Sequence, residues 1–311
     1  MHPHRPLLGA FAAMLFVGAS WGANVPVTKV MLSYFDLMPM MALRTISATL
    51  ALAALLWLAE GGRALLVAID ARRFLLLGLM IAAFFTFYAL GLRYSNPITV
   101  AAVQVAGPLV SAATVRVTTG LRFDPGFGVA LVLTLLGGLI LAASSLSGVG
   151  HVTFGGGELL VLATNVLWTL YSIKAQVWFA DGVSQLHRAY VASLSAMAWL
   201  ILWSVAAIAL LGAHSPFTVS DGWVWTQLLG VAMLASGMGS YAWNIGASRL
   251  GVAIASLWVN MVPFFAVLWS MAYGFMPNGY QIVGGLVALS GVVYMQRRKL
   301  QATRASDRVR A

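Results

Sequence analysis

The sequence contains no cysteine and very few charged residues. Because none of its 311 residues is cysteine, disulfides, thiolate metal sites and cysteine nucleophiles are excluded. Charged residues make up only 8% of the chain, whereas a soluble domain carries about 25%. A chain with so few charges cannot cover its surface with polar groups, so a soluble globular fold is excluded.

Acidic residues are especially scarce. Eight Asp and Glu face 18 Lys and Arg, which gives a net charge of +10. Such an excess would suggest nucleic acid in a soluble protein, but here the basic residues lie in short loops and a C-terminal segment. Of the carboxylates, only Glu158 falls within a predicted span, near its outer end. The sequence therefore predicts no carboxylate proton relay at the membrane midplane, which favours downhill export or exchange.

Long apolar runs account for most of the chain. A bilayer core about 30 Å thick needs about 20 apolar residues per helix. Ten candidate spans, separated by turn or charge signals, are predicted at 7–30, 37–58, 73–93, 97–117, 126–146, 156–179, 189–212, 223–246, 252–274 and 279–296. The first run exceeds the roughly 7–15 residues of a signal-peptide core, so we expect it to be retained as a span.

The basic residues predict the orientation of these spans. If the N-terminus is cytoplasmic, the loops that hold Arg63, Arg122 and Arg188 and the C-terminal segment lie inside, and almost all basic residues lie with them. We therefore expect a multi-pass protein of a bacterial inner membrane with both termini in the cytoplasm. Residues 298–311 would form a basic cytoplasmic tail that contacts anionic lipid headgroups.

Two halves of the sequence resemble each other. Gly91 precedes Pro108 by the same spacing as Gly246 precedes Pro263, and Trp21 and Trp168 form a looser pair. These matches predict five-helix repeats at 1–150 and 151–297. Because five is odd, the second repeat would be inverted, as in secondary transporters whose substrate site lies between the halves. The predicted fold is an all-α membrane protein with ten transmembrane helices arranged as two inverted five-helix repeats.

Several short motifs carry a family resemblance. They are Ser20-Trp21-Gly22 with Asn24, the stretch from Ala89 to Pro108, and the stretch from Asn244 to Pro263. Nearly the whole chain resembles the drug/metabolite transporter superfamily in its EamA-type metabolite exporter branch. The first span and the aromatic-rich helices are similar to the aromatic amino acid exporters. The resemblance implies export of amino acids or related metabolites through a central cavity. The chain departs from the common pattern at Pro97, Gln104 and Gly107, which would reshape that cavity.

Polar and aromatic side chains inside the spans are the candidate site residues. A polar group in a span is costly unless it faces protein or a water-filled cavity. The predicted substrate-binding residues are Asn24, Arg44, Tyr88, Gln104, Asn165, Trp168, Tyr171, Tyr241, Asn244, Trp258 and Asn260. The alternatives are interhelical hydrogen bonding for the polar residues and interface anchoring for the tryptophans. Arg44 either snorkels to the outer headgroups or faces the cavity and attracts a carboxylate.

These residues favour a small neutral or zwitterionic substrate. We expect export of neutral and aromatic amino acids by alternating access, without a cofactor, a metal or nucleic acid, by a monomer or weak homodimer in the lipid bilayer. The alternative substrate is a sugar-nucleotide or lipid-linked metabolite, which would need several convergent basic residues. A membrane-embedded hydrolase is disfavoured, because the G-x-S-x-G match at 18–22 lies inside a predicted helix rather than at a strand-to-helix turn.

Overall fold

All regular structure among the described residues is helical. A computed structural model describes residues 4–67, 69–94, 103–146, 157–271, 276 and 278–310. The first seven helices are α1 (His4–Met31), α2 (Leu37–Glu60), α3 (Ala71–Tyr94), α4 (Gly107–Thr119), α5 (Phe127–Leu146), α6 (Gly157–Val177) and α7 (Gln185–Leu211). Short 3-10 turns at Gly62–Leu65 and Pro216–Thr218 lie in the loops after α2 and α7.

Two later stretches change helix type along their length. Helix α8 (Gly222–Val231) continues through a π-helical turn, Ala232–Met238, into α9 (Gly239–Leu250). We call Ala232–Met238 the π segment. Helix α10 (Val252–Leu257) continues through a 3-10 turn, Trp258–Met261, into α11 (Val262–Met271), and α12 covers Gly279–Arg310. The π segment lies where glycines around Ser236 interrupt the predicted eighth span.

Each predicted span overlaps a described helix, although the number of membrane crossings stays a prediction. Within the described residues, five stretches are long and apolar enough to cross a membrane: Leu7–Thr28, Leu37–Glu60, Ala71–Tyr88, Gln185–Leu211 and Val252–Trp269. The predicted start of the fourth span, at 97, lies outside the described residues. The predicted tenth span, 279–296, is the first part of a helix that continues to Arg310. That extension contains neither glycine nor proline and is rich in good helix formers, so it stays helical after the apolar run ends.

The turn between α9 and α10 is a single residue. Gly251 adopts φ +86°, a conformation that L side chains rarely adopt, and its N–H donates to the carbonyl of Ala247 at 3.1 Å. Glycine therefore lets the chain reverse direction without a longer loop. This confirms the tight hairpin predicted near residue 250.

The packing of the helices relates the two halves by a two-fold exchange. Helix α3 packs on α6 as α1 packs on α9, and α3 packs on α7 as α2 packs on the π segment. Helix α4 packs on α6 as α1 packs on α11, while α2 pairs with α7 and α5 with α12. If every helix of the first half is replaced by its equivalent in the second half, and the reverse, each of these helix pairs becomes another pair that is also in contact. A two-fold axis between the halves requires this arrangement.

Small residues bring α5 and α12 into direct backbone contact. A Cβ atom added to Gly137 would lie 2.6 Å from the carbonyl oxygen of Gly284, and one added to Gly284 would lie 2.7 Å from that of Gly137. Both distances are far below van der Waals contact, so only glycine is accommodated at either position. These small residues let the two helices pack closely against each other within the monomer.

A polar contact joins the α1–α2 loop of the first half to the α7–α8 loop of the second. The Asp36 carboxylate accepts a hydrogen bond from the backbone N–H of His214 at 2.6 Å and lies 2.9 Å from the Nδ1 of that ring. The backbone hydrogen bond is the largest influence on the carboxyl group, and together with the ring contact it holds the pKa of Asp36 below its usual range. The contact therefore favours the ionised carboxylate.

This contact predicts a loss of stability in acid. A carboxyl group with a lowered folded-state pKa stabilises the protein above its unfolded pKa, about 3.9, and the stabilisation is lost as the pH falls through the folded value. We expect the melting temperature of the detergent-solubilised protein to fall below about pH 4 more steeply than that of Asp36→Asn. Both partners are substantially exposed, so the difference should stay within about 1 kcal/mol. Identical acid profiles for the two proteins would contradict the assignment.

Candidate functional site

Three tryptophans from three helices meet in the interior. Trp21 of α1 stacks on Trp243 of α9 with ring centroids 5.6 Å apart, and Trp168 of α6 lies 5.4 Å from Trp21 and 5.7 Å from Trp243. We call these three residues the tryptophan cluster. Phe84 of α3 and Tyr171 of α6 extend it, with ring centroids 5.4 and 5.1 Å from Trp168. The cluster thus presents a continuous aromatic surface built from both halves.

Hydrogen bonds fix two of the three indoles. The Nε1 of Trp21 donates to the carbonyl of Ala235 in the π segment at 3.0 Å, and the Nε1 of Trp243 donates to the Ser172 hydroxyl at 2.8 Å. Gly239 makes room for the first contact, since a Cβ atom there would lie 2.6 Å from the Trp21 Nε1. The Nε1 of Trp168 is buried and has no hydrogen-bond partner in the described part of the chain.

Arg44 of α2 is a buried cation beside this cluster. Its side chain is held by α1 and the π segment: Nη1 donates to the Thr28 hydroxyl at 2.8 Å, and Nη2 donates to Asn24 Oδ1 at 2.5 Å and to Ser236 Oγ at 3.4 Å. Arg44 is 6% exposed, and no described carboxylate lies within ion-pair distance of it. The guanidinium therefore binds neutral groups inside the protein instead of reaching the outer end of its helix.

The Arg44 site and the tryptophan cluster are adjacent. Trp21, Asn24 and Thr28 follow one another at helical spacing on a single face of α1. Consecutive residues of the π segment, Ala235 and Ser236, contact Trp21 and Arg44 respectively. The guanidinium thus lies about one helical turn, roughly 5.4 Å along α1, from the indoles. We call the tryptophan cluster, Arg44 and the three residues that bind Arg44 the central site, and we include in it the adjoining Phe84, Tyr171, Ser172 and Asn244.

Asn244, next to Tyr171, also has a buried donor without a partner among the described residues. Its side chain is fully buried, and its Oδ1 accepts a hydrogen bond from the Tyr171 hydroxyl at 3.4 Å. Its Nδ2 has no partner among the described residues. Since most buried polar groups in native structures are hydrogen-bonded, an unpaired donor in this position needs an explanation.

The other predicted residues fall into two groups. Tyr88 stacks parallel to Phe84 at 6.4 Å and so borders the tryptophan cluster, while Tyr241 packs on the apolar residues around Tyr171. The remaining four bond to each other or to the backbone, or pack in the apolar core. Asn165 donates to Gln104 at 3.3 Å, Asn260 donates to two backbone carbonyls, and Trp258 packs in the apolar core. For Gln104, Asn165 and Asn260, interhelical hydrogen bonding is the arrangement that the structure shows.

Several residues of the central site are not among the substrate-binding residues that the sequence predicts. They are Trp21, Thr28, Phe84, Ser172, Ser236 and Trp243. Signals for two of them were present, since Thr28 lies one helical turn after Asn24 and Trp243 directly precedes Asn244. Trp21 is named in the sequence only for its pairing with Trp168 in the repeat and for the Ser20-Trp21-Gly22 motif.

Comparison with known proteins agrees with the repeated architecture. The sequence pattern of the EamA-like transporter family matches this chain twice, over residues 7–143 and 155–296. The chain belongs to the EamA-like transporter family. The two matches coincide with the two halves that the packing exchanges, so this family member is a multi-pass, two-repeat membrane transporter. The predicted family and helical fold are confirmed.

Individual relatives support the same conclusion. The chain is 23% identical over 291 residues to "Uncharacterized transporter YyaM" of Bacillus subtilis (strain 168), covering 92% of this chain and 93% of that protein. A solved structure described as "Crystal structure of protein" has a TM-score of 0.76 and 19% identity and covers 99% of both chains. That structural likeness shows the fold of this EamA-like transporter and carries no information on its substrate.

Proposed function

We propose that this EamA-like transporter exports neutral amino acids, including aromatic ones, by alternating access. The central site supports the proposal most directly. It holds a buried guanidinium with no carboxylate partner among the described residues, next to three indole rings. A substrate carboxylate would bind Arg44 through charge-assisted hydrogen bonds, and an apolar or aromatic side chain would pack on the rings.

The composition of the central site favours a location between the two moving halves. Asn24, Thr28 and Arg44 come from the first half, and Trp168 and Ser236 come from the second. In transporters built from inverted repeats, the substrate lies at the boundary between the repeats near the bilayer midplane. A relative movement of the halves would therefore remake the contacts to the substrate. We propose that the transporter lies in a bacterial inner membrane with both termini in the cytoplasm.

Facilitative transport or exchange is the proposed mode. None of the described residues that form the central site is a carboxylate or a histidine. Glu158, the carboxylate predicted within a span, lies in the first turn of α6, about three turns before Trp168. A proton-coupled mechanism would place a titratable group against the substrate, and the described central site supplies none with a suitable pKa range.

A carrier for phosphate-bearing substrates receives no support from the other cations near the spans, Lys174 and Arg188. Lys174 lies near the end of α6 with its Nζ 5.6 Å from the ring centroid of Trp178. Arg188 donates to the carbonyls of Ala175 and Gln176 and so caps the end of α6. Neither side chain converges on Arg44, whereas a phosphate would favour several cations around it.

Counterflow in proteoliposomes tests the proposed function. Vesicles loaded with unlabelled amino acids should take up radiolabelled phenylalanine, tryptophan, threonine and alanine in a protein-dependent manner that a pH gradient does not change. We expect Trp168→Ala and Asn244→Ala each to lower the flux about tenfold or more, because truncating a central, buried contact typically costs 2 kcal/mol or more. Trp57→Ala is the matched control, since Trp57 lies near the end of α2 and is 57% exposed.

Each arm of this experiment has a decisive outcome. Normal flux in both central variants would place the substrate elsewhere in the transporter. Absence of uptake of all four amino acids, in vesicles shown to contain folded protein, would contradict the amino acid proposal.

A further inference from the structure

The central site contains two donors that the protein leaves unpaired. They are the Nε1 of Trp168 and the Nδ2 of Asn244, both buried and without a partner in the described residues. Both side chains contact Tyr171: its ring lies 5.1 Å from that of Trp168, and its hydroxyl donates to the Oδ1 of Asn244. Leaving a buried donor unsatisfied costs about 1–3 kcal/mol, so two such groups around one residue point to a bound acceptor.

The neighbouring acceptors are already engaged. The hydroxyl oxygen of Ser172 accepts from Trp243 Nε1, and the same hydroxyl donates to the Trp168 carbonyl at 2.7 Å. The Tyr171 hydroxyl donates to the Oδ1 of Asn244 and so orients the carboxamide. The NH2 group of Asn244 is then the part of the carboxamide that can bind a further acceptor. Rearranging one side chain would therefore leave another group unpaired, and an acceptor oxygen from outside the protein is what would satisfy these donors.

The part of the central site around Arg44 also has more hydrogen-bond donors than acceptors, so it too favours a ligand that supplies acceptors. A guanidinium carries five N–H donors, of which Thr28, Asn24 and Ser236 accept three hydrogen bonds. The Asn24 oxygen is itself shared between Arg44 and the Thr28 hydroxyl. The site thus has donors and positive charge in excess, and its principal side-chain acceptors are used. An ammonium group would meet like charge and few open acceptors here.

We propose that Trp168 Nε1 and Asn244 Nδ2 bind a second acceptor oxygen of the substrate while Arg44 binds its carboxylate. The substrates that satisfy both are 2-oxo and 2-hydroxy acids with aromatic or bulky apolar side chains, and they bind more tightly than the matching amino acids. This inference rests on the proposed transport function and refines its substrate class. In an amino acid, the α-ammonium replaces the acceptor and leaves the donor pair unsatisfied.

Matched substrates that differ only at the α-carbon test the inference. We would measure counterflow of radiolabelled phenylalanine and of radiolabelled 3-phenyllactate, and their inhibition by unlabelled phenylalanine, 3-phenyllactate, phenylpyruvate and phenethylamine. We expect 3-phenyllactate and phenylpyruvate to reach half-maximal inhibition at concentrations about tenfold below that of phenylalanine. A tenfold gain in affinity is what one additional hydrogen bond to an uncharged acceptor would contribute. Phenethylamine, which lacks the carboxylate, should not inhibit.

Two variants separate the donor pair from general packing. Trp168→Phe keeps an aromatic ring without the N–H, and Asn244→Leu keeps the volume without the amide. Each should remove the preference for 3-phenyllactate over phenylalanine, by about tenfold in the ratio of inhibition constants. Tyr280→Phe, on an exposed ring at the start of α12, should retain the preference.

The outcomes distinguish this inference from the proposed function. Phenylalanine counterflow with no preference for either acid, or a preference that survives in both variants, would overturn the donor-pair assignment and leave amino acid transport standing. Uptake of 3-phenyllactate without uptake of any amino acid would support the donor pair and overturn the amino acid proposal. Failure of both labels in vesicles with folded protein would overturn both.

Discussion

Arg44→Gln strongly raises the substrate concentration needed for counterflow while leaving the transporter folded in the membrane. Glutamine fills much of the same volume, and its amide can still donate to Asn24 or Thr28, which hold the guanidinium. The variant loses the positive charge that would bind the substrate carboxylate. Hydrogen bonds to charged groups contribute about 1.5–3 kcal/mol each, so affinity should fall between about tenfold and 150-fold. The measurement is the dependence of the counterflow rate on substrate concentration, in wild-type and variant vesicles that contain the same amount of protein.

Two further variants control for charge and for the loss of an arginine in general. Arg44→Lys keeps a cation but not the planar fork, so it should restore part of the flux with a raised KM. Arg122→Gln removes an exposed arginine from the loop before α5 and should leave the flux unchanged. Wild-type KM in Arg44→Gln would show that the guanidinium serves structure and does not bind substrate.

Gly137→Val strongly destabilises the folded transporter. A Cβ atom at Gly137 would clash with the backbone of Gly284 and Ala288 on α12. Because backbone atoms cannot turn aside as a side chain can, α5 and α12 would have to separate. Overpacking costs about 1–3 kcal/mol, occasionally more, and two close backbone contacts put this variant at the upper end.

Gly128→Val is the matched control on the same helix. It introduces the same β-branched residue, but a Cβ atom at Gly128 would meet nothing within 4 Å. Size-exclusion chromatography after a series of heating steps would show a normal melting temperature for Gly128→Val and a much lower one, or aggregated protein, for Gly137→Val. Equal melting temperatures would mean that α5 and α12 do not pack as the structure shows.

The fold was predictable where a single physical signal dominates. Each apolar run long enough to cross a bilayer overlaps a described helix, and Gly251 reverses the chain with positive φ at the predicted break between residues 246 and 252. The end of α12 was not predictable from apolarity, because residues 297–310 stay helical through backbone propensity instead of hydrophobic burial. Hydropathy does not distinguish a π-helical turn from an α-helical one, so it could not predict the π segment inside the apolar run at 223–246.

The site was predictable in its residue types but not in its pairings. Hydropathy marks Arg44 and Asn24 as polar groups inside spans, yet their hydrogen bond depends on how α2 is rotated against α1. Periodicity assigns residues to one face of a helix but says nothing about which face a neighbouring helix presents. For the same reason Asn260 and Asn244 carried equal weight in the sequence, although the first binds two carbonyls and the second keeps a free donor.

The π segment makes the two halves of the transporter unequal. A π-helical turn contains an additional residue relative to an α-helical one, so the side chains beyond it are turned by about 100°. Its counterpart in the first half, α3, is a continuous α-helix from Ala71 to Tyr94. In a carrier whose halves exchange conformations, identical halves would give inward-facing and outward-facing states of equal energy. If the transporter works by the proposed alternating access, this insertion makes the two states unequal in energy, and the empty carrier would then rest preferentially on one side of the membrane.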